Sequence, residues 1–556
     1  MKYPFQWVCL FLAATILSCN NSSPSREQIS QLNLKTGDLI SCGPPDAQFG
    51  KVEFVITGNG KTKQDFNLAV ELLHSFEYDE AEKAFAKIIG EAPDCAMAYW
   101  GVAMSNFHPL WNPPTETELQ KGTRAIALAG EIKALTPRES GYIKAIGSFY
   151  KDWTTVDHHA RCIAFEQAME QLHRQYPDDP EAAIFYALSL DAAADPRDKT
   201  YANQKKAGDI LNALYKTEPE HPGIIHYIIH TYDYPGLAGL ALPAARKYAG
   251  VAPSSAHALH MPSHIFTRLG LWDEAIHSNL KSVDAAKCYA KSAGMAGHWD
   301  EELHGMDYLV YAYLQKGENK LAEEQVSYLD TIKTVYPANF KVAYAFAAIP
   351  SRYLLENKQW KEAASLQALP ANFSWTSFPW QEAIIHFTRL LGAAHIGDKV
   401  AARSELNILT RLRDTLERQK DLYKAKAVEI QIKAGEAWMQ FEPAHPESAL
   451  QTMRLAADME DSTEKHPVTP GEVLPARELL GDMLMQARQH EAAFQAYTTV
   501  LQKSPNRFNS LYGAAAAAAK AGRQQEAISF YKQLLADKGP QKTERPELEE
   551  ARLFLK

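Results

Sequence analysis

Leu480-Gly481-Asp482-Met483-Leu484-Met485-Gln486-Ala487-Arg488-Gln489-His490-Glu491-Ala492-Ala493-Phe494-Gln495-Ala496-Tyr497-Thr498-Thr499-Val500 decides the fold. Its marker positions are Leu480-Gly481, Ala493, Tyr497 and Val500, with Pro505 closing the unit. Thirty-four residues on (480→514, 493→527, 497→531, 500→534) the same kinds of residue return as Ala514-Ala515, Ala527, Tyr531 and Leu534. Such a period belongs to stacked helical hairpins, each unable to bury its apolar face alone. Small residues let the two helices of a hairpin approach. Large ones fill the gap to the next hairpin, and Gly522 turns the corner between helices.

Working outward, the same pattern opens near Thr62. Leu68-Ala69, Leu72, Ala81, Phe85, Ile88 and Pro93 mark one unit, and Tyr99, Val102 and Ala103 begin the next. The aromatic, Pro-broken run 106–114 then interrupts it. In the middle, Ser263 with Gly270 and Ala275, and Val310 with Gly317 and Ala322, mark further units. Weaker ones centre on Ala363 and Ala402. No strand run can be placed between 62 and 541.

These positions resemble the tetratricopeptide repeat, with small residues at offsets 8 and 20, an aromatic at 24 and Pro at 32. The resemblance implies an all-α fold, an α-solenoid of helical hairpins. Four segments also resemble a group of long bacterial repeat proteins. They are 74–78, 98–101, the histidine stretch described below, and 464–472. That likeness implies secretion and fold, and no activity.

Length and charge agree. At 556 residues the chain exceeds the roughly 250–300 at which single cores stop growing. A net charge of −9 spread over it leaves no basic footprint for nucleic acid. The N-terminus reads as targeting rather than fold. A basic start at Lys2 and an apolar run Val8–Leu17 lead to Ile16-Leu17-Ser18-Cys19. This resembles the lipobox of bacterial lipoproteins, which implies lipidation at Cys19 and attachment to a membrane through the lipid. Position 20 is Asn rather than an acidic residue, so outer-membrane anchoring is expected. The remaining Cys42, Cys95, Cys162 and Cys288 are far apart, without C-x-x-C spacing. A thiolate zinc site is not expected, and their pairing is left open.

The chemistry-bearing stretch is 224–264, which holds five of the 19 histidines. His226 and His230 are i, i+4, a spacing that presents two imidazoles on one helix face. Position 227 is Tyr, so this is no H-E-x-x-H protease site. Asp233 follows as a third ligand or as a carboxylate fixing a ring tautomer. His257, His260 and His264 stand at offsets 0, 3 and 7, with Pro262 putting 257–261 in a loop or first turn. A nitrogen-rich set of this kind suits Zn, Cu, Fe or Ni; the cofactor is left open, with a divalent metal such as Zn as the candidate. One repeat further on, His304 and Asp307 are candidate co-ligands or acid/base groups. The Pro-rich interruption 464–478 is a candidate binding loop through His466 and Glu472. Each of these features has a plainer structural explanation, as a buried polar contact, a solvated face or a linker. No phosphate loop and no G-x-S-x-G elbow is present.

The expected organisation is 1–18 signal peptide, 19–61 anchor and irregular lead-in, and 62–223 N-terminal repeats. Then come 224–330 histidine-rich repeats, 331–463 degenerate repeats, 464–541 Pro-rich loop and two C-terminal repeats, and 542–556 tail. Two functions fit. The first is an interaction scaffold holding a protein or peptide partner on a concave face. The second is a metal-dependent hydrolase or oxidoreductase. They differ in one geometric respect: a metal site needs its imidazole nitrogens to converge on one point.

Overall fold

The structure, a computed structural model, describes residues 23–44, 46, 48–110, 113–133, 135–195, 197–536 and 545–556. The residues read as a signal peptide, and Cys19, lie outside the described residues. The chain is an all-α solenoid from Gly60 onward. Among the described residues, the one strand pairing is a parallel bridge of His298–Trp299 with Val335–Tyr336.

The C-terminal units form as their period requires. Helices Ala476–Gln486 and His490–Lys503 make one hairpin, and Phe508–Lys520 and Gln524–Ala536 the next. Tyr497 sits between them. A Cβ on Gly481 or Gly513 would lie 2.7 or 2.5 Å from its ring, so the aromatic fills the space those glycines leave. Gly522 (φ +78°) and Gly270 (φ +65°) turn hairpin corners in the left-handed region, where a side chain is disfavoured.

The described part of the lead-in forms no β-hairpin. Residues 51–56 run extended with Val52, Phe54 and Ile56 buried and Lys51, Glu53 and Val55 exposed. Their backbone donors go to helix side chains: Val52 N to Glu71 Oε1 (3.3 Å) and Phe54 N to Asn67 Oδ1 (3.1 Å). Alternation here comes from one buried face with no partner strand. Cys42 of the lead-in forms a disulfide with Cys288.

Seven helices position the site. They are α1 Gly60–His74, α2 Pro180–Ala192, α3 Pro222–Thr231, α4 Ala256–His260, α5 Pro262–Leu269, α6 Trp272–Ser292 and α7 Asp300–Lys316. One apolar core runs from Leu32 to Ala312 and a second from Tyr344 to Ala527. A smaller one on Leu303, Met306, Val342 and Ile349 joins them.

The array also closes on itself. Glu464 accepts from Lys199 Nζ and Tyr201 OH, both at 3.0 Å. Lys465 Nζ lies 3.4 Å from Asp233, and Trp272 Nε1 donates to the carbonyl of Asn506 at 3.0 Å. The Pro-rich segment 464–478 therefore lies inside the array, where a linker would lie outside it.

Candidate metal centre

Helices α3, α4, α5 and α7 bring six histidines together in two groups of three. In each group one nitrogen from every ring lies within 4.8 Å of the other two. The first group is His226, His230 and His257. The second is His260, His264 and His304. The i, i+4 spacing stacks His226 over His230 on α3. The short helix α4 turns His257 and His260 into different groups. Pro262, which has no N–H to lose, starts α5 as its first residue. His264 thereby follows His260 one turn on. Of the two alternatives for 257–261, a loop or a first turn, the chain takes a helical turn, Ala256–His260, with Ser255 capping it through Ala258 N (3.0 Å) and Pro262 opening the next helix.

Hydrogen bonds fix the tautomers of the second group. His260 Nδ1 lies 2.6 Å from Asn279 Oδ1, and Asn279 Nδ2 donates to the carbonyl of Ala275 at 2.8 Å. The amide oxygen is thus the acceptor, and His260 carries its proton on Nδ1. His264 Nδ1 lies 3.1 Å from the Asp233 carboxylate and is likewise the donor. Both Nε2 atoms are therefore lone pairs, yet they face each other at 3.1 Å. The Tyr308 hydroxyl is 3.4 Å from both nitrogens of His264, so of the two facing lone pairs only that on His264 Nε2 has a hydroxyl within reach, at a long distance, and that on His260 Nε2 has none. Two lone pairs at that distance repel unless a cation stands between them.

The first group follows the same rule. His226 Nδ1 donates to the carbonyl of His74 at 2.6 Å. Its single Nε2 lone pair then faces two ring nitrogens, His230 Nε2 at 3.0 Å and His257 Nε2 at 3.2 Å, and it can accept from one of them at most. A proton is a poor cation for either group. Burial pushes His226 down to about 3. It also holds His230, His257, His260 and His304 well below the ordinary imidazole range, with the neighbouring rings adding to the effect.

Asp233 stands behind the second group as a carboxylate fixing a tautomer. Burial alone would raise it, but Lys465, Arg268 and the His264 bond hold it well below its usual range. Arg268 Nε reaches it at 2.8 Å. His304 joins the ligand group. Asp307 does not: it is paired with the buried Arg352, and burial pushes it up to about 6 despite that partner. Arg352 in turn donates to the carbonyl of Gly471 at 2.7 Å, which is how segment 464–478 is held. His466 stands apart from the six, between the rings of Phe340, Trp380 and Tyr423. With Glu472 it lines a separate cavity of about 80 Å³.

A third group, His74, Glu181 and His221, was not picked out by spacing, because its members sit on or beside three separate helices. It differs in kind. Glu181 takes His74 Nε2 and His221 Nε2 at 3.0 Å each, and His74 Nδ1 meets the Tyr227 hydroxyl at 2.9 Å. Each carboxylate oxygen has its donor, so this group is satisfied without an ion.

No family model and no curated protein matches the chain. Solved structures found similar include the P58(IPK) TPR domain, at 16% identity over 68% of this chain and 98% of that one, with a TM-score of 0.20. The human IFIT1 dimer with m7Gppp-AAAA has 10% identity over 84% of this chain and 94% of that one, with a TM-score of 0.32. Naa15/Naa10 bound to HypK-THB has 11% identity over 89% and 96%, with a TM-score of 0.22.

Proposed function

We propose that the six histidines hold two transition-metal ions and that the chain is a metal-dependent redox protein. The observation that carries this reading is the 3.1 Å approach of His260 Nε2 to His264 Nε2 with both Nδ1 atoms already donating. Convergent imidazole nitrogens with carbonyl, amide and carboxylate partners behind them are how proteins orient metal ligands. The donor set is neutral nitrogen throughout. The nearest carboxylates, Asp233 and Glu301, are already countered by Arg268, Lys465 and Lys341. A buried site with no spare anion favours an ion of low charge, and cuprous copper carries one unit where zinc carries two.

The repeat architecture supports protein binding as a coarser role. Segment 464–478 fills part of the interior face that a partner would otherwise use. The lipobox-like residues 16–19 support attachment to the cell envelope, and the Cys42–Cys288 disulfide agrees with an oxidising compartment.

Metal analysis of protein purified without added metal, and again after equilibration with cuprous and zinc salts, tests the centre. About two copper ions per chain are expected, one for each histidine group. A chain that retains no transition metal under either condition, with unchanged thermal stability, has no such centre.

A further inference from the structure

The two histidine groups share one chamber. His257 of the first and His264 and His304 of the second line it, and Met261 and Val468 close it. Its free volume is about 20 Å³, against roughly 10–15 Å³ for a single buried water on the same measure. Pockets that take organic ligands run to hundreds of Å³. An ester, peptide or sugar therefore has no way to place a reacting atom against both groups. The lid over the chamber comes from segment 464–478, which is pinned by Lys465 to Asp233 and by Gly471 to Arg352.

One wall group is unmatched. Glu301 Oε1 accepts from Lys341 Nζ, while Oε2 is buried with no hydrogen-bond partner among the described residues. A buried acceptor left unmade is costly, so such an atom points to a ligand that is absent from the protein's own hydrogen bonding.

Resting on the metal reading above, we infer that the chamber takes a diatomic oxygen ligand, dioxygen or a species of its size, between the two metal-bearing groups, and that Glu301 Oε2 is its hydrogen-bonding partner when it carries or receives a proton. This deepens the proposed function by naming the ligand class. A chamber of this size has no room for a hydrolysable organic substrate beside the attacking water.

The test uses the full chain loaded with cuprous copper, its copper content measured first. Carbon monoxide serves as the diatomic probe, read by its infrared stretch, and tert-butyl isocyanide as the bulky one. Carbon monoxide is expected to bind. The isocyanide is expected to bind at least about tenfold more weakly to the wild-type chain than to Val468→Ala, which enlarges the chamber by two methyl groups. Glu301→Gln is expected to shift the carbonyl stretch while leaving copper content unchanged. Copper that takes the isocyanide as readily as carbon monoxide in the wild-type chain overturns the size limit and leaves the metal reading standing. An unmoved stretch in Glu301→Gln overturns that residue's part. A chain that takes up no copper fails at the earlier reading, and this proposal fails with it.

Discussion

The carbonyl oxygen of His74 accepts a 2.6 Å hydrogen bond from Nδ1 of His226, so the end of α1 sets the tautomer of an imidazole on α3, 152 positions away. His74 is itself fixed. Its ring is held by Glu181 and Tyr227, and a Cβ on Gly223 would come within 2.4 Å of its Nδ1. The satisfied His–Glu–His group is thus the support on which the unsatisfied one is built.

Glu181→Ala separates those two roles. It leaves two buried ring nitrogens without their acceptor, a loss on the order of 3–5 kcal/mol by analogy with breaking a buried pair. Chemical denaturation should show that loss. Metal content of the folded fraction should stay at the wild-type value, because this group is structural. A fall by one equivalent would mean that the first group cannot hold its ion without this support, because His226 hangs from the carbonyl of His74.

His226→Ala and His260→Ala each remove a ligand from a different group. Each should lower the bound copper by one equivalent, with the other group still loaded, as counted by metal analysis. Asp233→Asn keeps an acceptor for His264 Nδ1 but drops the charge balancing Arg268 and Lys465. Loss of an outer partner typically weakens metal binding roughly 10–100-fold, and competition with a chelator should show this for the second group and not for the first.

The repeats were legible because their marker residues recur in register, and Tyr497 shows why, packed against two glycines that the period places opposite it. His226 and His230 were legible as a pair because helical spacing is local. The division of His257 from His260 was not, since it depends on the break at Pro262. Nor was the exclusion of Asp307, whose partner Arg352 lies 45 positions later. The return of 464–478 onto Asp233 spans 232 positions, and no local pattern encodes a contact of that range. The disulfide was illegible for the same reason.

Acid should destabilise the metal-free protein. Burial lowers His226 and His466 to about 3 and His158 to about 4. In the unfolded chain all three titrate near 6.5. Below that value the unfolded state binds protons that the folded state refuses, so stability is complete above about pH 6.5 and falls as pH drops toward the folded values. Each such histidine costs up to about 1.4 kcal/mol per pH unit in that window. Denaturation midpoints measured at pH 7.5 and pH 5 should differ accordingly.

Reducing Cys42–Cys288 removes a cross-link spanning 246 residues, and cross-links of long loops contribute roughly 2–5 kcal/mol. Cys288 is exposed, so mild reductant should reach it. Burial pushes the Cys95 and Cys162 thiols up to about 11 and about 12, which keeps them from exchanging. The reduced protein and the Cys42→Ser, Cys288→Ser double variant should therefore lose the same amount of stability.

Closure of the array has its own test at Arg507. The side chain is fully buried, 2.5 Å from Glu356 and 2.8 Å from Glu478. Asn509 and Gln315 complete the bonds to Glu356 at 2.7 and 3.3 Å. Two carboxylates share one guanidinium, so removing the cation leaves two buried negative charges facing each other. Arg507→Met should cost on the order of 3–5 kcal/mol. Adding Glu356→Gln and Glu478→Gln should restore most of it, because the same volume is then neutral. Hydrogen exchange would locate the effect. In Arg507→Met, amides of 464–478 should exchange faster than those of 60–131, since Glu356 and Glu478 tie the C-terminal hairpins to the middle of the array. A uniform rise along the chain would instead mean that Arg507 stabilises the whole fold without specifically holding the segment that closes over the histidines.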